Sequence, residues 1–454
     1  MSLFKRYRAR SLGEVVTGAR DGYGREWRQD EVRALARWNE QWRVVKETVP
    51  YFRALAIQSG LTDAVGSWEE FRERLPVMSK RTIREQGIRL CDERRRPDCW
   101  RSTGGSTAEP IQVPSWNSEN RIHEGHIWLA RSWYGIEPAS RLFLLWGHSH
   151  LLGKGWNGAV SRQVRRLKDQ LAGYCRWSAY DMSEEGLRAG ARALIEHRPE
   201  YVIGYSAALD RFVRVNHAEK GPIQELGVKA VIGAAERFPF ADSRQRIGDL
   251  FGAPVGMEYG SVETSLLAHT HPDGGYRVFH RSYMIELLLA ESSRRRGRIL
   301  VTSLYPRSMP LIRYEIGDEV ELTDEAVNGP LAEFETVIGR LNDNVALRSG
   351  RQLHSEVIAH AVRDCPGVEG YQLVVVNGDP KELRLLRRNG RVTDPQVAEI
   401  SRRLGVIDAS LAHVAIVHVR SLDQTRAGKS PTILHRGSGY GEAAAGQWGG
   451  VPRA

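Results

Sequence analysis

The chain has 454 residues, 41% of them hydrophobic, with a net charge of +10 at pH 7. That length allows two or more globular domains, and the absence of any run of 18 apolar residues argues against a membrane span. No secretion-signal pattern opens the chain and its four cysteines are irregularly spaced, so a cytoplasmic setting is expected and neither a disulfide framework nor a zinc ribbon is.

The first 90 residues read as helical. EVRALARWNEQWRVVKETVPYFRALAIQSG places Val32, Leu35, Ala36 and Trp38 along a helix-like pattern that Pro50 breaks, and SWEEFRERLPVMSKRTIREQG follows as a second amphipathic stretch. From 140 to 260 short apolar runs alternate with helical segments. RLFLLWG, YVIGY, KAVIGAAE and PVGMEYG have the composition of buried strands. LRAGARALIEH gathers Leu187, Ala191, Leu194 and Ile195 on one face, and ADSRQRIGDLFG gathers Ile247, Leu250 and Phe251. Strand alternating with helix predicts a largely parallel α/β sheet, whose ligands sit in loops at the carboxyl ends of strands. Residues 276–340 turn mostly to strand, and the polar stretch LNDNVALRSGRQ reads as a linker. Helix (354–364), strand (369–377), strand (382–388), helix (395–403) and strand (412–420) then form a compact α+β unit of common small-domain size. The Gly/Ala-rich tail from Gly437 is expected to be disordered.

Basic residues are scattered along the chain, with acidic ones interleaved even in CDERRRPDCW, and only nine of the 65 are lysine. No stripe of basic and aromatic residues stands out, so no nucleic-acid partner is expected.

RSTGGSTAEP (101–110) is the first candidate for chemistry. Its glycines let backbone N–H groups share a concavity and its hydroxyls add donors, a combination that suits phosphate. Two nearer-looking phosphate motifs fail. AGKS (427–430) has Asp423 where the first glycine of GxxxxGK[ST] is required, and WGHSHLLGKG has the wrong spacing and Gly155 in place of Ser or Thr. Further along, EYGSVE ends a predicted strand with Tyr259 and Glu263, PLIRYEIGDEV carries Asp318, VIGRLNDN carries Arg340, and DQTRAGKSPTI carries Lys429. Taken singly, Tyr259 reads as a core aromatic, Glu263 as a helix N-terminal acid, Asp318 as a turn residue and Arg340 as a surface charge. A lysine between glycine and serine, in a chain that nearly always uses arginine, is harder to read that way.

The order of these stretches resembles that of the adenylate-forming ligases. Within them it is most similar to the phenylacetate–coenzyme A ligase and capsular-polysaccharide-biosynthesis branch, to which VPYFRAL, LPVMSK and RPEYVIGYSAALDRF also conform. The resemblance implies an α/β fold: a large N-terminal adenylation domain with helix-flanked sheets (1–341), a small mobile α+β domain (342–436) and a tail (437–454). It further implies an enzyme that joins a carboxylic acid, aryl or similarly small, to AMP from ATP with Mg²⁺, then passes the acyl group to coenzyme A, the alternatives being transfer to an amine or a degenerate relative that binds a nucleotide or acyl-adenylate without turnover. A homodimer is compatible with it.

By that resemblance, Ser102, Thr103, Gly104, Gly105, Ser106 and Thr107 would cradle the β- and γ-phosphates. Glu236, Tyr259 and Gly260 would line the nucleotide, with Tyr259 against adenine, and Glu263 would hold Mg²⁺. Asp318 would accept hydrogen bonds from the ribose with Arg340 in support, Lys429 would bridge carboxylate and α-phosphate, and Asn342 would be the hinge. Ala108 and Glu109 stand where relatives usually have glycine and a variable, often basic, residue; Asn342 replaces a frequent aspartate. Trp146, His148, Tyr205, Ala234, Ala235 and Met257 are the expected acid pocket, whose aromatic and small residues suit a flat or aryl acid. RRRGR (294–298) is a candidate for coenzyme A phosphates. The pairs His148/His150 and His269/His271, the second with His280 and Asp273 as candidate further ligands, read as solvated or hydrogen-bonded histidines in preference to zinc ligands.

Overall fold

The computed structural model describes residues 3–23, 31–61, 63–102, 111–146, 167–179, 184–234, 238, 242–289, 293–324, 330–340, 344–347, 352–354, 358, 361–362, 370–377, 379–386, 393–420, 422–423 and 433–436. The N-terminal part is helical as expected: α1 (Leu3–Tyr23), α2 (Glu31–Thr48), α3 (Pro50–Ser59), α4 (Trp68–Arg74) and α5 (Lys80–Gln86). The inward face of α2 differs from the expected one. Val32 is 79% exposed, whereas Ala34, Trp38, Trp42 and Val45 are buried. Trp38 and Trp42, one turn apart, stack at 5.3 Å with Phe71 edge-on to Trp38, and this aromatic pair orients the helix.

The second amphipathic stretch forms two helices. Pro76 cannot supply a helical N–H, and residues 75–79 run extended. Met78 there pairs with Tyr314 as an isolated parallel bridge: its N–H donates to the Arg313 carbonyl, and its own carbonyl accepts from the N–H of Glu315.

A hairpin of β1 (Cys99–Ser102) and β2 (Gln112–Ser115) leads into α6 (Asn117–Trp133). The main sheet then begins with β3 (Leu142–Trp146), β4 (Tyr174–Ser178), β5 (Tyr201–Tyr205), β6 (Ala230–Ala234) and β7 (Val255–Ser261), all parallel in the order β4-β3-β5-β6-β7. Alternate residues of these strands serve two helix layers. Phe143, Leu145, Val202 and Val231 pack with the helices Glu184–His197, Ser206–Val215 and Ser243–Phe251. Leu142, Tyr201, Ile203 and Ile232 pack with Val16 of α1 and Trp128 of α6. Burial on both faces explains why these strands read as unbroken apolar runs.

Beyond β7 the sheet turns antiparallel through β8 (Ser265–Thr270) and β9 (Tyr276–Val278), and later receives the short β13 (Glu333–Phe334). A second, antiparallel sheet runs β10 (Tyr283–Leu289), β11 (Arg296–Ser303), β12 (Tyr314–Glu321) and β14 (Thr336–Arg340), and helices α2 to α5 share its core. The stretch read as a linker contains β15 (Asn344–Ala346), which pairs with β16 (Gln352–His354); His354, expected in a helix, is therefore in a strand. A separate core is built on β17 (Gly370–Val376), β18 (Asp379–Leu386), the helix Asp394–Ile407, β19 (Ala415–Val419) and β20 (Ile433–Arg436), in the order β19-β18-β17-β20. Among the described residues the expected strand, strand, helix and strand are present with β20 in addition, while most of the helix expected over 354–364 lies outside them.

Candidate active site

Strand β7 changes partner half-way. Its first residues pair parallel with β6 up to Met257, and from Glu258 it pairs antiparallel with β8 across a register shift at Tyr259/Gly260. At that shift the chain passes itself so closely that a Cβ on Gly260 would meet the Ser265 carbonyl oxygen at 1.9 Å. Only glycine permits this approach, which fixes the turn carrying Glu263. Ser265 closes the turn with φ +55°, a left-handed conformation uncommon outside glycine.

Two side-chain contacts tie this end of β7 to β12. The Tyr259 hydroxyl donates to Asp318 Oδ2 at 2.9 Å, and the Tyr314 hydroxyl donates to Glu263 Oε1 at 2.8 Å. The pairs run in opposite senses, four residues apart on each segment, so Asp318 and Glu263 stand at opposite ends of the joined segments. Gly317, with φ +92°, sets the backbone before Asp318. The Tyr259 ring is a core aromatic, edge-on to both Tyr276 and Phe334, and the contact it makes at the site is through its hydroxyl.

Glu263 lies in a turn between strands, not at a helix N-terminus, and is 2% exposed. Burial alone would raise its carboxyl. Lys80 Nζ at 3.7 Å, the Tyr314 hydroxyl, its own backbone N–H and the Ser261 side chain outweigh burial and hold it below its ordinary value. Lys80 opens α5, immediately after the residues that bridge to β12, and sequence reasoning assigned it no role. The available signal was its type: LPVMSK holds one of only nine lysines in the chain.

The phosphate-loop candidate starts beside the same turn. Ser102 ends β1, opposite Gln112, and Arg101 before it donates from Nη1 to Ser265 Oγ at 3.0 Å and also contacts Asn120. Thr103, Gly104, Gly105, Ser106 and Thr107, with Ala108 and Glu109, lie outside the described residues. What the structure supplies is the root of that loop, tied two residues from Glu263.

No protein-family model matches the chain. Protein CapK of Staphylococcus aureus is 21% identical over 337 residues, spanning 72% of this chain and 71% of its own length. Two solved structures of a 2-hydroxyisobutyryl-CoA ligase superpose over most of the molecule. One, in a postadenylation state with an acyl-AMP, gives a TM-score of 0.59 at 18% identity over 92% of both chains. The other, an open conformation with 2-HIB-AMP and CoA, gives 0.53 at 19% identity over 89% of this chain and 91% of that one. The chain has the adenylate-forming ligase fold.

Within the adenylate-forming fold the remaining expected residues fall as follows. Trp146, Tyr205 and Ala234 stand at the carboxyl ends of β3, β5 and β6 and Met257 at the end of the parallel half of β7, with the Trp146 and Tyr205 rings 4.2 Å apart. The floor between them is tight, since a Cβ on Gly233 would meet Met257 Sδ at 2.5 Å and Ser206 Oγ at 2.8 Å. His148, Ala235, Glu236, Asn342 and Lys429 lie outside the described residues. Arg340 ends β14 opposite Asp318 in the backbone register. The root of the segment bearing Lys429 is clasped: buried Gln372 exchanges two hydrogen bonds with the Asp423 backbone, and the Asp423 carboxylate receives Arg384 and, from β20, Arg436.

RRRGR is occupied within its sheet. Arg295 binds the Leu322 carbonyl and Glu335, while Arg296 and Arg298 face Glu321 and Glu315. Their charge is met by protein carboxylates in surface ion pairs. His269 is fully buried on the Thr270 carbonyl and His271 contacts Asp273. Among the described residues no group of three or more His, Cys, Asp or Glu could hold a metal, and no helix is long and apolar enough to cross a membrane.

Proposed function

We propose that the protein is an ATP-dependent ligase that activates a small carboxylic acid as its adenylate and transfers the acyl group to coenzyme A. The observation that carries this reading is the double tie of β7 to β12, Tyr259–Asp318 and Glu263–Tyr314, at the carboxyl end of a parallel strand in an adenylate-forming fold. Four residues of strand span roughly 13 Å, the order of the distance from a ribose to a terminal phosphate. Asp318 would accept the ribose hydroxyls at one end, with Arg340 in support. Glu263, Lys80 and the STGGST loop (Ser102 to Thr107) would meet the phosphates at the other, and Glu236 and Gly260 would line the nucleotide between them.

An ionised carboxylate that belongs to no cluster of metal-ligating side chains among the described residues suits Mg²⁺, which is usually bound through one or two carboxylates together with substrate phosphates. Held by Glu263 and the nucleotide, that ion would neutralise charge building on the departing pyrophosphate. The acid, lying against Trp146, Tyr205, Ala234 and Met257, with His148 and Ala235, attacks the α-phosphorus through a carboxylate oxygen, and the bond to pyrophosphate breaks. Lys429 would hold carboxylate and phosphate together, a compact ammonium where negative charge gathers. The thiol sulfur of coenzyme A then attacks the acyl carbon and AMP leaves. We assign the first step to a core of residues 1–341 and the exchange between steps to rotation of 342–436 about Asn342; residues 437–454 form a tail. The described cysteines Cys91, Cys99 and Cys175 are free thiols, in keeping with a reducing cytoplasm.

The decisive experiment measures pyrophosphate release with ATP, Mg²⁺ and a panel of aryl, hydroxy and fatty acids, with and without coenzyme A or amines. Acid-dependent release should fall by about 100-fold or more in Lys429→Ala and Glu263→Ala, and the product mass identifies the acceptor. Release that no acid stimulates, with ATP still bound, refutes the ligase reading in favour of a nucleotide-binding relative without turnover. An amide product places the chain among acid–amine ligases instead.

A further inference from the structure

Behind the Glu263 turn lies a buried ion pair that belongs to none of the nucleotide motifs. Arg307, after β11, and Glu119, in the first turn of α6, are 4% and 0% exposed, with Nε 3.2 Å from Oε2. Glu119 Oε1 also accepts the backbone N–H groups of Trp116 at 2.9 Å and Ser308 at 2.8 Å. Arg307 has a second target: its Nη2 donates to the carbonyl oxygen of Glu263 at 2.6 Å. The next two residues are held as well, Thr264 through its carbonyl by the Tyr283 hydroxyl and Ser265 through its Oγ by Arg101. Tyr283 is fixed in turn, its hydroxyl 2.9 Å from that of Tyr305, which lies 2.8 Å from His123 Nε2.

Stability alone is a poor account of this arrangement, because a buried ion pair can often be replaced by packed apolar side chains at no loss. The geometry offers another reason. Fixing the Glu263 carbonyl fixes the peptide plane that follows it, and with it the direction in which the Glu263 side chain leaves the backbone. Ser265 is held two residues on at φ +55°, a conformation that persists only where its surroundings over-determine it.

We infer that Glu119 and Arg307 are positioning residues for Glu263, holding the turn 263–265 so that the carboxylate faces Lys80, Tyr314 and the metal–nucleotide. This rests on the function proposed above. Neither residue touches the ligand; each acts through the backbone of the one that does, as outer-shell partners act on metal ligands.

The test measures ATP binding by calorimetry with and without Mg²⁺, together with thermal unfolding, for the wild type, Arg307→Met, Arg307→Lys and Glu119→Gln. Arg307→Met should bind metal-free ATP within about twofold of the wild type while the Mg²⁺-dependent gain in affinity falls about tenfold or more. Arg307→Lys, whose ammonium can still donate to the carbonyl, should recover part of that gain. Glu119→Gln, which keeps an acceptor for both N–H groups but removes the charge, should lie between the two and decides the matter if Arg307→Met does not fold. Variants that keep the full Mg²⁺-dependent gain overturn the inference, as does a loss of metal-free and metal-dependent affinity by the same factor. A wild type whose ATP affinity ignores Mg²⁺ overturns the functional reading and this inference with it, whereas a responsive wild type whose variants respond just as fully overturns only the inference.

Discussion

Replacing Tyr314 by phenylalanine tests the geometry at Glu263 without touching backbone or volume. Tyr314 is fully buried and its hydroxyl donates to a carboxylate 2.8 Å away. A hydrogen bond to a charged group contributes about 1.5–3 kcal/mol. Because Lys80 and Ser261 remain to satisfy Glu263, we expect a loss near ~2 kcal/mol at pH 7. The dependence on pH is the sharper part. The folded-state carboxyl is held below its ordinary value of 4.5, so its contribution is fully present above about pH 4.5 and is lost as pH falls through the folded value. The tyrosine is one of the contacts that depress it, so the gap between wild type and variant should narrow on acidification. Urea unfolding of both proteins at pH 7 and near pH 4 reads this directly, and the acid sensitivity of the histidines cancels in the difference. A gap under ~0.5 kcal/mol at pH 7, or one that widens toward acid, would refute the hydrogen-bonded, ionised Glu263 described above.

Gly260→Ala forces a methyl group onto the Ser265 carbonyl oxygen at 1.9 Å, so the turn must shift. Acid-dependent pyrophosphate release should fall by about 100-fold or more, and near-normal release would show the turn to be plastic. Asp423→Ala opens the clasp that Arg384 and Arg436 close at the root of the Lys429 segment. Turnover should drop about tenfold with little change in the melting temperature, and an unchanged turnover would separate the clasp from catalysis. His123 and His126 are buried neutral, His123 pushed down to about 2 by burial and the charges of Arg307, His126 and Arg101, and His126 to about 3 by burial. The unfolded chain therefore binds protons first below about pH 6.5, and each histidine should withdraw roughly 1.4 kcal/mol of stability per pH unit of further acidification. His123→Gln should make the stability–pH curve shallower between pH ~6 and ~4, and an unaltered slope would contradict its buried neutral state.

The legible part of this molecule was the part with local or motif-sized signals. YVIGY and AVIGA read as buried strands because both of their faces are covered, and the EYGSVE and IGDEV stretches pointed to residues that the fold brings into contact with each other's strands. Chain order singled out Glu263 and Asp318 as candidates but not the groups that contact them. Lys80 meets Glu263, and Glu119 meets Arg307, from points far apart in sequence. Nothing local in LPVMSK or WNSEN announces such partners, and only the packing of α5 and α6 against β12 and the β7–β8 turn creates them. The partners of Val32 and RRRGR were hidden for a related reason. The inward face of α2 is decided by which aromatics stack, and the free charge of an arginine run by which carboxylates lie across the sheet.

The N-terminal helical region reaches the candidate site through Lys80. Arg313, held at φ +47°, donates to the carbonyls of Arg72 and Leu75 and pairs with buried Glu286, which also faces Arg72. The next residue along β12 is Tyr314, which bridges to Met78 and binds Glu263, and two residues beyond Met78 is Lys80. A strained arginine thus locks the end of α4 to β12 at the point where the extended link to α5 must be straight for Lys80 to arrive. Such strain is retained where the surroundings over-determine it. Here the surroundings are an ion-paired carboxylate and two helix-end carbonyls, so the cost of holding Arg313 falls on the N-terminal helices while the gain appears at Glu263.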